Sequence, residues 1–330
     1  MGIRILSTGS YLPPLTVAND DLSGCVDTND EWIRTRTGIS ERHMSNGETT
    51  WYMGAQAARK AIAGSGINPL EIGLIICSTV SSDFFVPSCA AMIQRETGAS
   101  NAAAFDLGAA CSGFVYSLDT AHRFLSTDKE LKYVLIVAAE QLSYITDFTD
   151  RSSCILFGDG AAAAVVERSD SFFTSWLGCD GDGMKYLYAK APHQKHPFMK
   201  DPVVIEDGST PGAPDGLIIQ DGKEVYKFAV KALPNAVRRA LEGSDRTVED
   251  IDLFIPHQAN IRIIETAAKN IGVSLEKMYV NISRNGNTSS ASIPLALYDA
   301  IHDGSLQRGQ TVCLVGFGAG LTQAAAVFEY

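Results

Sequence analysis

Three side-chain types that suit acyl-transfer chemistry each stand at a predicted strand-to-helix junction. Cys111 lies in FDLGAACSGF, where an apolar run breaks at Gly108 and a helical pattern begins. His257 ends an apolar run in PHQAN, and Asn287 stands in GNTSS. A thiolate can accept an acyl group, and two neutral donors can stabilise the charge that develops on an oxygen atom. The thiol, imidazole and carboxamide together favour chemistry on acyl thioesters.

The thiol of Cys111 is predicted to lie in or beside the first turn of a helix. The apolar residues after it recur at helical spacing: Phe114, Val115, Leu118, Ala121, Phe124 and Leu125. Unpaired N–H groups and the helix dipole favour a negative charge there, so the sequence predicts a lowered pKa for this thiol. Taken singly, the three residues also fit structural roles: a buried cysteine, a core or capping histidine, and a turn or capping asparagine.

The elements that must position these residues alternate between strands and helices. Strands are predicted over 2–10, 72–80, 133–142, 250–260 and 278–283, with a strand pair around the Gly-Asp-Gly turn of ILFGDGAAAAVVE and two closing strands. Helices are predicted over 50–64, 89–97, 223–242, 261–271 and 291–302. This alternation predicts a layered α/β architecture, in which ligands bind at the carboxyl ends of strands.

The second half of the chain echoes the first. EIGLIICST resembles DIDLFIPHQ, and ILFGDGAAAAVVE resembles LVGFGAGLTQAAAVFE. Phe105 to Cys111 and Asn281 to Asn287 both span six positions. We therefore expect two duplicated halves, 1–171 and 172–330, with Cys111 and Asn287 at equivalent helix entrances that a pseudo-twofold axis brings together.

Composition excludes several classes of protein. The chain has 330 residues, 45% hydrophobic and 20% charged, and a net charge of −11, which argues against a general nucleic-acid binder. An acidic partner would need a local basic patch. No apolar run approaches the roughly 20 residues of a membrane span, and no secretory signal is evident. The seven cysteines lie mostly in apolar stretches, which favours reduced thiols in the cytoplasm.

Two other motifs superficially resemble binding sites, one for a dinucleotide and one for a metal, but the residues around them do not support these interpretations. GFGAGL lacks the third glycine of a dinucleotide-binding turn, because that position is Leu321; we expect a backbone turn whose N–H groups face an anion. His193 and His196 stand at a spacing that could ligate a metal, but no cysteine or carboxylate cluster accompanies them. A solvated loop is the favoured interpretation of HQKH, and no metal is expected.

Over essentially its whole length the chain resembles the β-ketoacyl-acyl-carrier-protein synthase III family of the thiolase-like superfamily. The motifs that carry the resemblance are DTNDEWIRTRTGI, FDLGAACSGF, TDRSSCILFGDGA, PHQANIRI, GNTSSASIP and GFGAGLT, in this order. The resemblance implies a five-layered αβαβα fold, a homodimer, and decarboxylative Claisen condensation of an acyl-CoA with malonyl-acyl carrier protein. It implies no cofactor other than the coenzyme A thioester that serves as substrate.

The resemblance also implies roles for the catalytic residues. Cys111 matches the acyl-accepting nucleophile, and His257 and Asn287 match the residues that stabilise the enolate formed when malonyl loses carbon dioxide. The backbone N–H groups of Cys111 and Ala319 would form the oxyanion hole. Ala319 replaces a glycine common at that position, and only its backbone is required.

Three further residues match the family's coenzyme A site. Trp32 and Arg151 match the residues on either side of the adenine, and Arg36 matches a phosphate contact. An indole face and a planar guanidinium both stack on a base, which makes these types suitable. From the sequence alone, Trp32 could equally be a partly buried core aromatic, and the two arginines could be solvated or ion-paired surface residues.

Two more sites follow from the same resemblance. Arg262 matches the arginine that meets the acidic carrier protein, with Lys227 and Lys269 as basic neighbours and Asn270 in place of a second lysine; ordinary solvated charge is the alternative. Val86 aligns with a position that lines the acyl pocket across the dimer interface, where an aromatic residue would shorten the pocket; ordinary core packing is the alternative.

Several alternative functions can be compared with the residues present in the sequence. A degradative thiolase needs a second cysteine near GFGAGLTQ, which has none. A condensing enzyme of secondary metabolism, with another acceptor or primer, would keep the same triad and stays open. A cysteine hydrolase would lack the duplicated halves and the adenine-stacking set. A non-catalytic subunit would tend to lose the nucleophile. The acyl-chain preference and the role of the 190–215 loop are not predicted.

Overall fold

The computed structural model describes residues 2–192, 196–200 and 208–330, so His193 of the HQKH motif lies outside the described residues. The strands are β1 (Gly2–Tyr11), β2 (Leu15–Ala18), β3 (Glu41–Met44), β4 (Ile72–Ser78), β5 (Ala103–Leu107), β6 (Tyr133–Glu140), β7 (Gly160–Ser169), β8 (Phe173–Cys179), β9 (Leu187–Ala189), β10 (Ile218–Gln220), β11 (Leu253–Pro256), β12 (Thr311–Gly318) and β13 (Thr322–Glu329). The helices are α1 (Asp30–Thr37), α2 (Thr50–Ser65), α3 (Cys89–Thr97), α4 (Gly113–Thr127), α5 (Arg151–Cys154), α6 (Gly222–Leu241), α7 (Ile261–Ile271), α8 (Ile282–Asn285) and α9 (Ser292–His302).

Two mixed sheets share one strand order and one set of directions. The first sheet has the order β1-β7-β6-β4-β5, with β4 parallel to β5 and β6, and with β7 antiparallel to β6 and β1. The second has the order β11-β12-β13-β8, with β11 parallel to β12, and with β13 antiparallel to β12 and β8. In place of a counterpart to β5, the second sheet has a parallel bridge between Phe254 and Met278.

The sheets and helices stack in five layers. Apolar residues of α4 and α9 form one core with the facing sides of both sheets, so these two helices make the central layer. Helices α2 and α3 pack on the outer side of the first sheet, and α6 and α7 on the outer side of the second. Strands β4 and β6 are almost wholly buried because both of their faces are covered, which explains why their sequences are continuous apolar runs. The predicted αβαβα fold with two pseudo-symmetric halves is confirmed.

Most predicted elements are confirmed. The five helices whose bounds are predicted are found within one residue at either end, and the periodic run after Cys111 forms α4. The strand predicted over 278–283 is wrong: the chain makes one bridge at Met278 and then the short helix α8. The predicted strand pair around Gly-Asp-Gly is also wrong, because β7 begins only at Gly160 and α5 and a turn precede it. An apolar run of this length does not by itself distinguish a strand from a buried turn.

Two further observations concern predicted properties of the whole chain. All seven cysteines are free thiols, as the sequence predicts. In the part of the chain that the structure describes, no helix combines the length and the apolar character needed to cross a bilayer.

Candidate active site

A cavity of about 790 Å³ opens where the strands of both sheets end and α4 and α9 begin. Cys111, His257, Asn287 and Ala319 all line it. The apolar part of its wall includes Leu142, Ile145, Leu156, Phe157, Leu187 and Ile218. Four predicted site residues from both halves of the chain therefore meet in one largely apolar chamber.

Cys111 lies in a tight 3-10 turn, Ala110–Ser112, which joins β5 to α4. Ala110 has a φ of 46°, in the left-handed region, so the turn is a strained elbow. Its backbone packs against the end of β12: a Cβ on Gly318 would lie 2.6 Å from the amide nitrogen of Cys111. Only glycine permits this approach, and the hydroxyl of Thr322 braces the elbow by hydrogen-bonding the carbonyl of Ala109 at 3.0 Å.

The prediction that the Cys111 thiol ionises readily is wrong for this structure. Burial raises the pKa of the thiol to about 12; a hydrogen bond with Ser289 partly offsets the effect, and the charge of Glu140 adds to it. The sulfur donates to the Ser289 hydroxyl at 3.4 Å. Helix α4 begins only at Gly113, and withdrawal of the sulfur from water outweighs the benefit of the nearby helix end.

His257 follows β11 and is fixed on both its backbone and its ring. Its amide donates to the carbonyl of Val315 at 2.8 Å, which extends the β11–β12 ladder by one bond. Its Nδ1 lies 2.6 Å from the Ser292 hydroxyl, and its ring meets Phe317 edge-on at 5.3 Å. Burial lowers the pKa of His257 to about 3, so the imidazole is neutral at physiological pH. With Nδ1 engaged, Nε2 is the ring atom left to meet a ligand.

Asn287 is held by the turn that precedes β7. Its backbone N–H donates to the backbone carbonyl of Leu156 at 2.8 Å, and its backbone carbonyl accepts from the N–H of Gly158 at 3.0 Å. The side-chain oxygen accepts from the amide of Ser289 at 2.9 Å. The carboxamide is thereby oriented by its oxygen, which leaves its NH₂ group as the donor available to a ligand.

The structure corrects the predicted equivalence of Cys111 and Asn287. The 3-10 turn Ala110–Ser112 enters α4, and the 3-10 turn Ser289–Ala291 enters α9. Each turn starts with a left-handed residue, Ala110 at a φ of 46° and Ser289 at 48°. The counterpart of Cys111 is therefore Ser290, three residues beyond the predicted one. The prediction failed because it aligned β5 with a segment of the second half that is not a strand.

The predicted coenzyme A residues form a cluster on α1 and α5. The guanidinium carbons of Arg36 and Arg151 lie 4.4 Å and 4.6 Å from the centroid of the Trp32 ring. Arg151 also donates to the carbonyl of Asp27 at 2.9 Å. The next residue, Ser152, lines the cavity, so this cluster adjoins its rim. The structure brings the three residues together, and their binding role stays a prediction.

The predicted docking residues lie on α6 and α7. Arg262, in the first turn of α7, donates to the carbonyl of Thr35 at 2.9 Å and so connects α7 to the helix that carries Trp32. Lys227 is exposed but forms an ion pair with Glu224 at 2.6 Å. Lys269 is exposed in the last turn of α7.

Val86 lies outside the set of residues that line the cavity in the single chain. It is 83% exposed, beside Phe85, which is 89% exposed, on the loop between β4 and α3. The alternative of ordinary core packing is therefore wrong for one chain on its own. A role in an acyl pocket would require a second chain.

Three residues that hold the site were missed by the sequence reasoning. They are Glu140, Ser289 and Ser292. Two signals could have found them: a carboxylate at the end of the apolar run YVLIVAAE, and the hydroxyl-rich stretch NTSSAS before a helix.

Comparisons with known proteins agree with the geometry. Residues 105–181 match the family model described as 3-oxoacyl-[acyl-carrier-protein] synthase III, and residues 241–330 match its C-terminal counterpart. The chain is 45% identical over 330 residues to a β-ketoacyl-[acyl-carrier-protein] synthase III of Clostridium acetobutylicum, covering 99% of this chain and 98% of the relative.

Solved structures give the same picture. The crystal structure of 3-oxoacyl-[acyl-carrier-protein] synthase III from Aquifex aeolicus VF5 superposes with a TM-score of 0.90 at 39% identity, covering 100% of both chains. The priming β-ketosynthase of the R1128 polyketide biosynthetic pathway superposes with a TM-score of 0.87 at 37% identity, covering 99% of this chain and 96% of that one.

Proposed function

The chain belongs to the β-ketoacyl-[acyl-carrier-protein] synthase III family, and we propose that its cavity condenses an acyl-CoA primer with malonyl-acyl carrier protein through a thioester on Cys111. Members of this family are condensing acyltransferases, and this chain is one of them. The single observation that carries the residue assignment is the convergence of Cys111, His257, Asn287 and Ala319 on one cavity.

The first half-reaction moves the acyl group from coenzyme A to the enzyme. The Cys111 sulfur attacks the thioester carbon, the bond between that carbon and the coenzyme A sulfur breaks, and the proton of the Cys111 thiol ends on the leaving sulfur, so coenzyme A departs as a thiol. The tetrahedral intermediate places a negative charge on the former carbonyl oxygen. The backbone N–H groups of Cys111 and Ala319, both at the cavity wall, are the donors we assign to that oxygen.

The second half-reaction forms the carbon–carbon bond. As malonyl loses carbon dioxide, the thioester oxygen of the remaining acetyl unit becomes an enolate. Nδ1 of the neutral His257 is engaged by Ser292, and Oδ1 of Asn287 is engaged by Ser289. The groups left to donate to the enolate oxygen are therefore the Nε2–H of His257 and the side-chain NH₂ of Asn287. The enolate carbon then attacks the acyl carbon on Cys111, and the bond between that carbon and the sulfur breaks. The β-ketoacyl product departs, and the Cys111 thiolate takes up one proton from water. The coenzyme A thioester is a substrate, and the scheme needs no further cofactor.

The substrates are assigned to the two clusters beside the cavity. Trp32, Arg36 and Arg151 would hold the adenine and phosphates of coenzyme A, for which a stacked indole and two guanidiniums provide suitable chemistry. Arg262, with Lys227 and Lys269, would meet the acidic carrier protein. The ion pair with Glu224 makes Lys227 the weaker contributor of the three.

A homodimer through the β5 edge completes the proposal. β5 is the edge strand of the first sheet and has one paired side. Near it stand exposed apolar side chains: Phe84, Phe85 and Val86 are 51%, 89% and 83% exposed. An unpaired edge next to an apolar patch is a typical self-association surface. The partner's Val86 side chain would then reach the acyl pocket and set its length.

Three further assignments belong to the proposal. The division into halves at 171/172 agrees with a first sheet that ends at Ser169 and a second that begins at Phe173. The free thiols favour the cytoplasm. The second candidate function is a condensing enzyme of secondary metabolism that uses another primer or acceptor. The observation that favours it is the likeness to the priming β-ketosynthase, which has the same fold and is 37% identical to this chain.

Intact-mass measurement with a panel of acyl-CoAs tests the proposal. We expect one acyl group to add to Cys111, and the label to leave as a β-ketoacyl thioester when malonyl-acyl carrier protein is added. Cys111→Ser should abolish the labelling, whereas Cys179→Ser, which changes another thiol of the same cavity, should retain it. A label on Cys179, or hydrolysis without condensation, would contradict the proposal.

A further inference from the structure

Glu140 is a buried carboxylate that the reaction scheme above leaves unused. It is the last residue of β6 and is fully buried. One of its oxygens accepts hydrogen bonds from the Ser81 hydroxyl at 2.6 Å, the Val80 amide at 3.1 Å and the Thr79 hydroxyl at 3.2 Å. The other accepts from Ser290, from its hydroxyl at 2.6 Å and from its backbone N–H at 3.4 Å. The carboxylate therefore joins the segment after β4, in the first half of the chain, to a turn of the second half.

Hydrogen bonds satisfy both oxygens of this carboxylate. Each oxygen receives a backbone N–H, from Val80 on one and from Ser290 on the other, in addition to hydroxyl donors. Burial raises the pKa of Glu140, and the hydrogen bonds that it accepts partly offset the rise. A well-packed apolar side chain is often no less stable than a buried charge. Stability alone therefore does not account for Glu140, and the segments that its hydrogen bonds hold in place are the better guide to its role.

The segment held in the second half is the 3-10 turn Ser289–Ala291, which enters α9. Its first residue, Ser289, has a φ of 48°, in the left-handed region. A residue other than glycine keeps this backbone only where its surroundings fix it. On one side, the Ser289 N–H donates to the side-chain oxygen of Asn287 at 2.9 Å. On the other side, Glu140 holds the next residue, Ser290.

Ser289 contacts one catalytic residue with its side chain and another with its backbone. Its hydroxyl accepts a hydrogen bond from the Cys111 thiol at 3.4 Å. Its N–H orients Asn287, whose NH₂ group is assigned to the enolate. Loss of the hydroxyl should therefore disturb the nucleophile alone, whereas a shift of the backbone should disturb both half-reactions.

The start of the nucleophile's helix packs against the same turn. Gly113, the first residue of α4, lies so close that a Cβ on it would overlap the Ser78 hydroxyl and approach the Cβ of Ser290 to 3.4 Å. The Ser290 hydroxyl also lies 3.1 Å from the carbonyl of Ser78, the last residue of β4. A displacement of Ser290 would therefore reach the entrance of α4, just beyond Cys111.

We propose that Glu140 is a positioning residue that acts through Ser290. It fixes the left-handed backbone of Ser289, and Ser289 then orients the Cys111 sulfur and the Asn287 carboxamide. Glu140 lies outside the set of residues that line the cavity, and in this role it neither gives nor takes a proton. The inference rests on the proposed function and extends it to a residue that touches no substrate.

Two serine variants form a matched pair for the test. Ser290→Ala and Ser81→Ala each remove a hydroxyl that donates to Glu140 at 2.6 Å, and each hydroxyl makes one further hydrogen bond. Only Ser290 belongs to the turn. Ser290→Ala should therefore slow acylation of Cys111 and decarboxylation of malonyl-acyl carrier protein by about 10-fold each, the effect of one lost hydrogen bond. Ser81→Ala should retain native rates, because two other donors still hold the same oxygen.

The measurement separates rate from affinity. Single-turnover transfer from a saturating acyl-CoA, followed by intact mass, gives the acylation rate, and release of carbon dioxide from malonyl-acyl carrier protein gives the decarboxylation rate. Calorimetric titration with coenzyme A gives the affinity. Positioning predicts lower rates at unchanged affinity in Ser290→Ala. A general loosening of the fold would instead lower the rates of both serine variants alike and would lower their affinity as well.

Ser289→Ala separates the two contacts that Ser289 makes. It removes the hydroxyl beside Cys111 but keeps the N–H that orients Asn287. Acylation should fall by about 10-fold, and decarboxylation should stay native. In the double variant of Ser289→Ala and Ser290→Ala, the loss in acylation should be smaller than the product of the single losses, because Ser290 acts through Ser289.

Glu140→Gln is the conservative variant. It keeps the length of the side chain, and its NH₂ group can donate to the Ser290 hydroxyl, whose own hydrogen can turn to the carbonyl of Ser78. Because the link is kept, both rates should stay within about 3-fold of native. A loss as large as that in Ser290→Ala would mean that the charge of Glu140 matters and not its position. Should Ser290→Ala fold poorly, Ser290→Cys replaces it, since a thiol has a similar size but donates weakly.

Failure of this inference can be distinguished from failure of the proposed function. Equal rates in Ser290→Ala and Ser81→Ala, or loss of decarboxylation in Ser289→Ala, would overturn the positioning role while the native enzyme still condenses its substrates. If the native enzyme itself takes no acyl group from any acyl-CoA, the proposed function fails instead.

Discussion

The imidazole of His257 is tied through Nδ1 to the hydroxyl of Ser292, 2.6 Å away. Ser292 is the first residue of α9, so one end of the central layer orients a side chain that stands at the end of β11. The bond selects which ring nitrogen meets a ligand, and therefore which tautomer can donate to a developing enolate.

Ser292→Ala should weaken the decarboxylation step selectively. Without the hydroxyl, the ring loses its orientation and its preferred tautomer, and we expect the decarboxylation rate to fall by about 10-fold, as for loss of one hydrogen bond of about 1.4 kcal/mol. Acylation of Cys111 should change little. Ser283→Ala, an exposed serine on α8, is the matched control. Equal losses in both half-reactions would contradict this role.

The pKa of His257 predicts a pH-dependent contribution to stability. The folded protein holds this histidine at a pKa of about 3, against about 6.5 in an unfolded chain. Below pH 6.5 the unfolded state takes up a proton here that the folded state does not, so the free energy of unfolding falls as pH falls toward 3. At pH 5 the loss is about 2 kcal/mol.

Denaturant unfolding at pH 7.5 and pH 5 measures this contribution. His257→Gln should lose less stability than the native protein on going to pH 5, whatever its stability at pH 7.5. His302→Gln, a change at an exposed histidine, should behave as the native protein does. The same acid-induced loss in His257→Gln and the native protein would contradict a depressed pKa.

The Trp32 cluster predicts that coenzyme A binding requires a rearrangement. Guanidiniums already lie over the indole ring, so an adenine must displace or stack on one of them. Arg151→Ala and Trp32→Ala should each weaken coenzyme A binding by about 10-fold, from the loss of a stacking interaction of 1–2 kcal/mol.

Acyl donors that lack adenine provide the control for this prediction. Calorimetric titration should show unchanged affinity of both variants for an acyl-phosphopantetheine. Arg34→Ala removes an exposed arginine from the same helix and should leave coenzyme A binding as it is. Equal weakening for both ligands would place Trp32 and Arg151 in the scaffold instead of the adenine site.

Arg262→Glu should impair use of the carrier protein and spare acyl transfer from acyl-CoA to Cys111. Arg262 is exposed and is proposed to meet the acidic carrier protein, so reversal of its charge should raise the KM for malonyl-acyl carrier protein by about 10-fold at low salt, with the difference shrinking as salt screens it. Lys227→Glu should have a smaller effect, because Lys227 is paired with Glu224. If both half-reactions decline together, Arg262 acts through its bond to Thr35 and not through docking.

Much of the architecture was predictable because its signals are local. Helical periodicity located α2, α3, α6, α7 and α9, and continuous apolar runs located the buried strands β4 and β6. The failures have a non-local cause. The run 278–283 has the composition of a strand, yet only Met278 finds a strand partner, and the chain turns into α8. Pairing between distant strands decides such cases.

From the sequence alone came the reactive residue types, the alternation that makes layers, and the motifs shared with the family. Each of these depends on short stretches of chain, so each can be seen without coordinates. Only the tertiary structure decided the ionisation of Cys111, the counterpart of Cys111 in the second half, and the hydrogen bond between Cys111 and Ser289. The reason is physical: a pKa depends on the water and charges around a group, and Ser289 is 178 positions from Cys111 along the chain.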